Sequence, residues 1–330
     1  MSLVNAERRR LFKRRFTRLM LIVVVGILSA IAVGFVLNSH RNGPAERAAA
    51  EAQARQMYEQ QVVMFREQCS STGVDPRMKE YCESPEAGPR PEHFQAQWYM
   101  PYEFNFRKEF GVLIMVFSGI LALLAYVVGA SYVGAEWSTG GMMNLLLWRP
   151  RRVPVLLTKL GTLLGGVLGI GVVLGAAWTT AFWLIGKYDG RSDPMTAGAW
   201  RSFAITGARG LGLALLVAAV AFGLASLGRH TAMALGVAVG VVVVGEIGMR
   251  ILLELMQVRM GDRYLLSTYA LAWFNKRWTL FDWRSCEFVM GECRPQELLI
   301  TWQQSAFVFG VGTALVLTLA FWAMHRRDVT

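Results

Sequence analysis

EWSTGGMMNLLLWRPRRVPVLLTK, residues 136–159, joins two long apolar runs. It opens on an acid, Glu136, followed by the pair Gly140 and Gly141. Met142–Trp148 then form a short apolar stretch that suits a helix, and Pro150 ends it, because proline lacks the N–H a helix needs and clashes with the preceding turn. Arg149, Arg151 and Arg152 follow at the point where the chain re-enters an apolar run, a position where cations meet lipid headgroups. Lys159 lies about two turns further on and could reach back to the headgroups along its apolar stem. Charge, glycine and proline gather this densely at no other end of an apolar run. Residues 134–154 therefore read as a structured connection at a membrane exit.

The runs on either side set the fold class. Of 330 residues, 54% are hydrophobic and 17% are charged, against about a quarter charged in a soluble domain. Six apolar runs, near residues 19–37, 111–133, 155–186, 203–227, 231–254 and 303–324, are each long enough to cross a hydrocarbon core of about 30 Å. The expectation is an all-α membrane protein with six transmembrane helices: a basic segment over residues 1–18, then one six-span domain over 19–330. The net charge of +11 does not point to nucleic acid. The basic residues cluster at the ends of the apolar runs, where topology and anionic lipid account for them.

Orientation follows from those residues. Glu7–Arg18 (ERRRLFKRRFTR), Arg149 with Arg151 and Arg152, Arg229 with His230, and His325 with Arg326 and Arg327 all fall on one side of a six-span chain. That side should be the cytoplasm, with both termini inside and the protein multi-pass in the plasma membrane. The first run is too long for a cleaved leader, and no small-x-small site follows it. The cysteines agree. Cys69 and Cys82 lie in the first outer loop, Cys286 and Cys293 in the last, and an oxidising exterior permits disulfides. Local pairing is the simplest arrangement, although four cysteines allow three connectivities. With no histidine near either pair, a metal site is a poor fit.

Both of those outer loops are large, spanning residues 38–110 and 255–302. Pro44–Gln68 is rich in helix formers, with Tyr58, Val62 and Phe65 recurring on one face, and could extend the first span as a continuous helix. Phe94–Phe106 (FQAQWYMPYEFNF) is dense in aromatics suited to the water–lipid interface, or to a lip that touches a transported molecule. In the last outer loop, Trp273, Trp278 and Trp283 suggest short helices at the membrane face. In the third span, Gly161, Gly165 and Gly169 put small residues on one helix face, favourable for close helix packing within the chain. In the fifth, Glu246, Arg250 and Glu254 have the spacing of an ion-pair stripe or of a gate.

Several chemistries are missing. No G-x-x-x-x-G-K-[ST] loop occurs, so this chain has no P-loop for ATP. H-E-x-x-H and G-x-S-x-G are also absent, and the four histidines are scattered. Spans two, three, four and six carry no central carboxylate for a proton relay, and no inverted repeat stands out, which disfavours a secondary carrier. A sensor or scaffold built on the outer loops is the other alternative to a driven permease.

The ordered set Glu136, Gly140, Leu145–Leu147, Pro150, Arg152 and Lys159, between the second and third spans, resembles the permease subunits of the ABC type-2 exporters. The six-span layout and the basic tail at Arg326 and Arg327 resemble them too. The resemblance implies that residues 142–148 are a coupling helix, with Glu136, Gly140, Gly141, Met142, Met143, Asn144, Leu145, Pro150 and Arg152 engaging a separate ABC ATPase subunit. Arg149, Arg151 and Lys159 would anchor it to the membrane. The ATPase would bind ATP and Mg, none being held by this chain, and a second permease copy or a homologous permease would complete the pathway. An amphipathic helix before the first span is usual in that family. Here only Leu11, Phe12 and Phe16 offer one.

Overall fold

A computed structural model describes residues 3–71, 81–82, 84, 87–148, 152–282, 288–289, 292–293 and 295–326. Six helices are long and apolar enough to cross a membrane: α2 (Arg15–Asn38), α4 (Phe106–Ser138), α6 (Arg152–Tyr188), α7 (Ala197–Gly228), α8 (Thr231–Leu255) and α10 (Trp302–Arg326). Shorter helices are α1 (Leu3–Lys13), α3 (Pro44–Ser70), α5 (Gly141–Trp148) and α9 (Leu266–Asn275). At 1.5 Å per residue, α4 with 33 residues and α6 with 37 run for roughly 50 Å, well beyond the hydrocarbon thickness.

The chain falls into two compact units. The larger comprises Met1–Ala30, Phe110–Thr180 and Met195–Thr330. Its centre is the small-residue face of α7, where Ala214, Ala218, Ala221, Phe222 and Ala225 are buried. Small side chains let helices close in. A Cβ added at Gly129 of α4 would come within 2.9 Å of the Ala218 carbonyl oxygen, and one at Gly210 within 1.8 Å of Ser118 Oγ. The expected glycine packing in α6 takes a different form. Gly161, Gly165 and Gly169 face open space, and the close approach is at Gly166, where a Cβ would meet Leu11 of α1 at 2.6 Å. The residues before the first span thus make a helix that docks by Leu11, which is buried, while Phe12 stays exposed.

Within α8, residues Val241–Gly248 adopt a π-helical winding, and most of the helix surface is left exposed by this chain. The stripe expected on it does not form. Glu246 Oε1 accepts the Ser267 N–H at 3.0 Å, capping the start of α9, and Arg250 reaches Asp262 at 3.9 Å. Among the described residues, Arg250 makes no ion pair with Glu246 or Glu254. The acid is better used on the free N–H groups of a helix start than on an exposed i,i+4 pair.

The chain is mostly helical, as expected, and the last loop adds strands to it. After α9, strands β1 (Arg277–Asp282) and β4 (Gln296–Thr301) pair antiparallel, Arg277 opposite Thr301 and Asp282 opposite Gln296. Between them lie the short strands β2 (Phe288–Val289) and β3 (Glu292–Cys293). Ala272, Leu280 and Ile300 form the hairpin's core against α9. Trp278, with its β-favouring neighbours in RWTLFD, belongs to a strand rather than to a membrane-face helix. Cys286 and the side chain of Cys293 lie outside the described residues.

The smaller unit comprises Ile31–Glu109 and Ala181–Pro194. Here α3 is a separate helix, not a continuation of α2. The chain breaks over residues 39–43, where Ser39 Oγ donates to the Asp189 carbonyl at 2.8 Å and accepts the Phe104 N–H at 3.1 Å. Pro44 then starts α3 at a position where its missing N–H costs nothing. Ala50 and Ala54 are buried on α3, and Tyr58, Val62 and Phe65 continue that face half-buried. A disulfide joins Cys69 and Cys82, as local pairing requires. Phe104 and Phe106 are fully buried rather than interfacial; Phe104 meets Phe35 at 5.3 Å and Phe182 at 5.6 Å, edge to face.

Candidate functional site

Around the start of the opening segment, three helices of the larger unit meet through buried charge. Lys159, placed on α6 a little under two turns from its start, is fully buried. Its Nζ lies 2.8 Å from Glu7 Oε2 on α1 and 2.6 Å from Glu136 Oε2 on α4. The first contact is a hydrogen bond; the second has the distance of an ion pair without hydrogen-bond direction. The lysine expected among the headgroups is instead the centre of an ion cluster. Two carboxylates within 3 Å hold it better than a snorkelling geometry would, because they offset the cost of removing it from water.

Glu7 is nearly as deeply buried as Lys159. The Tyr132 hydroxyl, one turn before Glu136 on α4, donates to Glu7 Oε2 at 2.6 Å, and Arg10 reaches Oε1 at 3.3 Å. Burial alone would raise the Glu7 pKa; the Lys159 and Tyr132 hydrogen bonds and the Lys159 and Arg10 charges outweigh it, holding the group ionised below its ordinary range. Two carboxylates facing one lysine leave an excess negative charge, and the neighbouring arginines offset it. Arg14 donates to the carbonyls of Ser131 and Tyr132 at 3.1 and 3.0 Å and lies over the Tyr132 ring. Glu7 is the member of the cluster that sequence reading passed over. It sits in a run of arginines and looks like a minor interruption of a basic flank.

Downstream of Glu136 the backbone turns sharply. The α4 helix ends at Ser138, and Gly140 adopts a positive φ of +72°, a conformation that glycine enters at no steric cost. Gly140 N–H bonds back to the Trp137 carbonyl at 3.2 Å, and its own carbonyl accepts the Asn144 N–H at 3.2 Å. The turn thus closes one helix and starts α5. Met142 is fully buried, Gly141, Met143 and Leu145 are half-buried, and Asn144 and Leu147 are exposed, Leu147 at 77%. Among the described side chains of the short helix, Met142 is the fully buried one, and Asn144 and Leu147 face outward. Arg152 opens α6; Arg149, Pro150 and Arg151 lie outside the described residues.

The turn between α7 and α8 braces the same end of α4. A Cβ at Gly134 would fall 2.5 Å from the Thr231 nitrogen, so the two backbones touch there. Arg229, in the left-handed region with φ 53°, stacks its guanidinium 5.0 Å from the Trp137 ring centre. Glu136 and Trp137 are thus gripped from two sides, one by ions and one by packing.

This constellation covers the ordered Glu–Gly–helix–Arg–Lys set on a six-helix frame, and the similarity extends past it. The family model described as ABC-2 family transporter protein matches residues 6–329. The chain belongs to that family. No curated protein gives a significant match. An ABC-2 chain is a transmembrane component, generally not catalytic, and such proteins generally work with an ABC ATPase subunit. In this ABC-2 chain the structure brings Glu136 and Lys159 together, as their order along the family's motif did not foretell, and puts Glu246, Arg250 and Glu254 in α8, away in sequence from that cluster.

Proposed function

We propose that the protein is the permease subunit of an ATP-driven exporter. It forms half of a translocation pathway with a second copy or a homologous permease, and a separate ATPase binding ATP and Mg drives it. The family match over residues 6–329 carries this reading. In it, both termini and α5 face the cytoplasm, and the loop bearing the Cys69–Cys82 disulfide lies one crossing away, outside. α5 docks on the ATPase by its exposed residues, Asn144 and Leu147, with Met142 as its internal anchor.

The ion cluster gives that docking a mechanical consequence. A push on α5 arrives at Gly140 and Glu136. Because Glu136 shares Lys159 with Glu7, the ends of α1, α4 and α6 move as one body rather than singly. Tight packing transmits such displacement with little loss. Export direction follows the family expectation, and the cargo is left open by the apolar spans.

Affinity purification of the tagged chain from its native membrane tests the reading. A co-purifying subunit with a P-loop, whose ATP hydrolysis changes when the permease is present, is the expected result. Purification without any such subunit, together with ATP-independent flux in vesicles, would replace it with a carrier.

A further inference from the structure

A recess separate from the ion cluster lies between α4, α6 and α7, at the ends of these spans away from α5, with a volume of about 420 Å³. That is within the size range of small-molecule sites. Its floor is aromatic and buried: Phe110, Phe117 and Trp178, the last two rings stacked with centres 6.0 Å apart. Trp200 and Phe203 of α7 form the far wall, Phe203 meeting Phe110 edge to face at 5.1 Å. Gly175 gives the recess its depth; a Cβ there would rest against the Phe117 ring at 3.5 Å.

The lining is mostly apolar, and two of its polar groups are already used within the chain. Trp178 Nε1 donates to the Leu113 carbonyl at 3.2 Å, and Thr179 Oγ1 to the Gly175 carbonyl at 2.8 Å. The mouth, at Val172, Ala204 and Ala208, is exposed and runs into the apolar surface of α6 at Val173. In a chain that crosses the membrane six times, that surface is covered by hydrocarbon. A single polymethylene chain can lie along the recess.

We propose that this recess is a binding site for one acyl chain of a membrane lipid, which enters between α6 and α7 and packs on Phe117 and Trp178. The site recognises the tail and leaves the headgroup at the membrane surface. The inference rests on membrane immersion and geometry alone, independent of ATP drive. Flat rings and a slot between helices select a flexible, slender chain by dispersion contact on both sides.

The test uses the full chain in nanodiscs containing a phosphatidylcholine with a diazirine in one acyl chain, irradiated and mapped by peptide mass spectrometry. Crosslinks should concentrate on peptides containing residues 110–117, 171–179 and 200–211. Gly175→Leu should lower that labelling by about tenfold, since it places side-chain carbons where the lipid chain lies. Trp200→Ala, which removes one wall and keeps the floor, should shift labels within the recess. Labelling spread evenly over the lipid-facing surface in the unaltered protein would overturn the proposal, even if Gly175→Leu did not fold. So would unchanged labelling in a folded Gly175→Leu protein. A free diazirine fatty acid labelling the recess while the phospholipid does not would also overturn it, pointing to a free amphiphile rather than a resident lipid.

Discussion

Replacing Lys159 by methionine removes the cation that Glu7 and Glu136 share while keeping nearly the same volume. Two carboxylates then remain, one almost inaccessible and one 12% exposed. Breaking a buried pair in this way costs about 3–5 kcal/mol, because the abandoned charge stays out of water. For a chain of this size that corresponds to a drop of roughly 5–15 °C in the thermal midpoint. Glu7→Gln should cost less, since a neutral amide still accepts from Tyr132 and leaves Lys159 with Glu136. The double variant should cost less than the sum of the single ones by about 1–3 kcal/mol, the signature of direct contact.

The pH dependence has opposite signs in the two proteins. In the native chain, the depressed Glu7 pKa adds stability that is fully present above the ordinary value of about 4.5 and is lost as pH falls through the lower folded value. In Lys159→Met, the Lys159 hydrogen bond and charge are gone and only the Tyr132 hydrogen bond and the Arg10 charge still oppose burial, the largest influence, so the Glu7 pKa rises, protonation relieves the strain and stability increases as pH falls towards 5. Thermal unfolding in detergent, followed by fluorescence-detected size exclusion at pH 7.5 and pH 5, reads both effects. A Lys159→Met protein as stable as the native one at pH 7.5, or one that loses stability on acidification, would refute the ion-cluster reasoning.

Gly140→Ala should cost about 1–2 kcal/mol from its positive φ, and in the assembled complex should weaken ATPase coupling more than it lowers expression, as measured by hydrolysis per complex. Leu147→Glu and Met142→Ala should separate docking from folding. The first alters a 77%-exposed side chain and should leave the thermal midpoint within about 1 °C while reducing partner co-purification; the second empties a buried site and should lower stability by about 2–4 kcal/mol, read as thermal midpoint. Cys69→Ser with Cys82→Ser opens a loop with a sequence separation of 13 and should remove about 3 kcal/mol of local constraint. Limited proteolysis should then cut near residues 69–90 faster in the variant, and reductant should produce the same acceleration in the native protein.

Much of the frame was legible because membrane crossing is a statement about length and apolarity, which each run carries by itself. The short helix was legible for a similar reason: Gly140 and Pro150 punctuate it locally. The ion cluster was not. Glu7 and Lys159 are 152 residues apart in sequence, and nothing in either neighbourhood names the other. Lys159 looks like a headgroup anchor until α1 is known to fold back over Gly166. The Glu246 stripe failed for a related reason. Spacing of four shows which side chains share a face, but a capping position on α9 competes for the same acid and lies 21 residues on. The hairpin in the last loop was obscured by its tryptophans, which suit a membrane interface and a half-buried strand equally.

That α1, α4 and α6 meet through ions rather than through leucines bears on what the junction does. Apolar packing of equal volume would hold three helices at least as firmly, but it tolerates small slips, since dispersion contacts are non-directional. One ammonium between two carboxylates, with a tyrosine hydroxyl on one of them, has a single satisfactory arrangement. A slip of α4 by one turn, 5.4 Å, would remove Glu136 and Tyr132 from Lys159 and Glu7 together and strand buried charge on both sides. The cluster therefore penalises relative motion among the three helix ends far more than it stabilises their contact. A junction of that kind is suited to carrying a displacement from α5 into the spans without absorbing it. Uncoupling without unfolding is thus the phenotype expected when the whole cluster is exchanged for apolar residues (Glu7→Leu, Lys159→Met and Glu136→Leu together). Such a protein should reach native stability and still fail to respond to its ATPase; one that responds normally would show that packing alone transmits the movement.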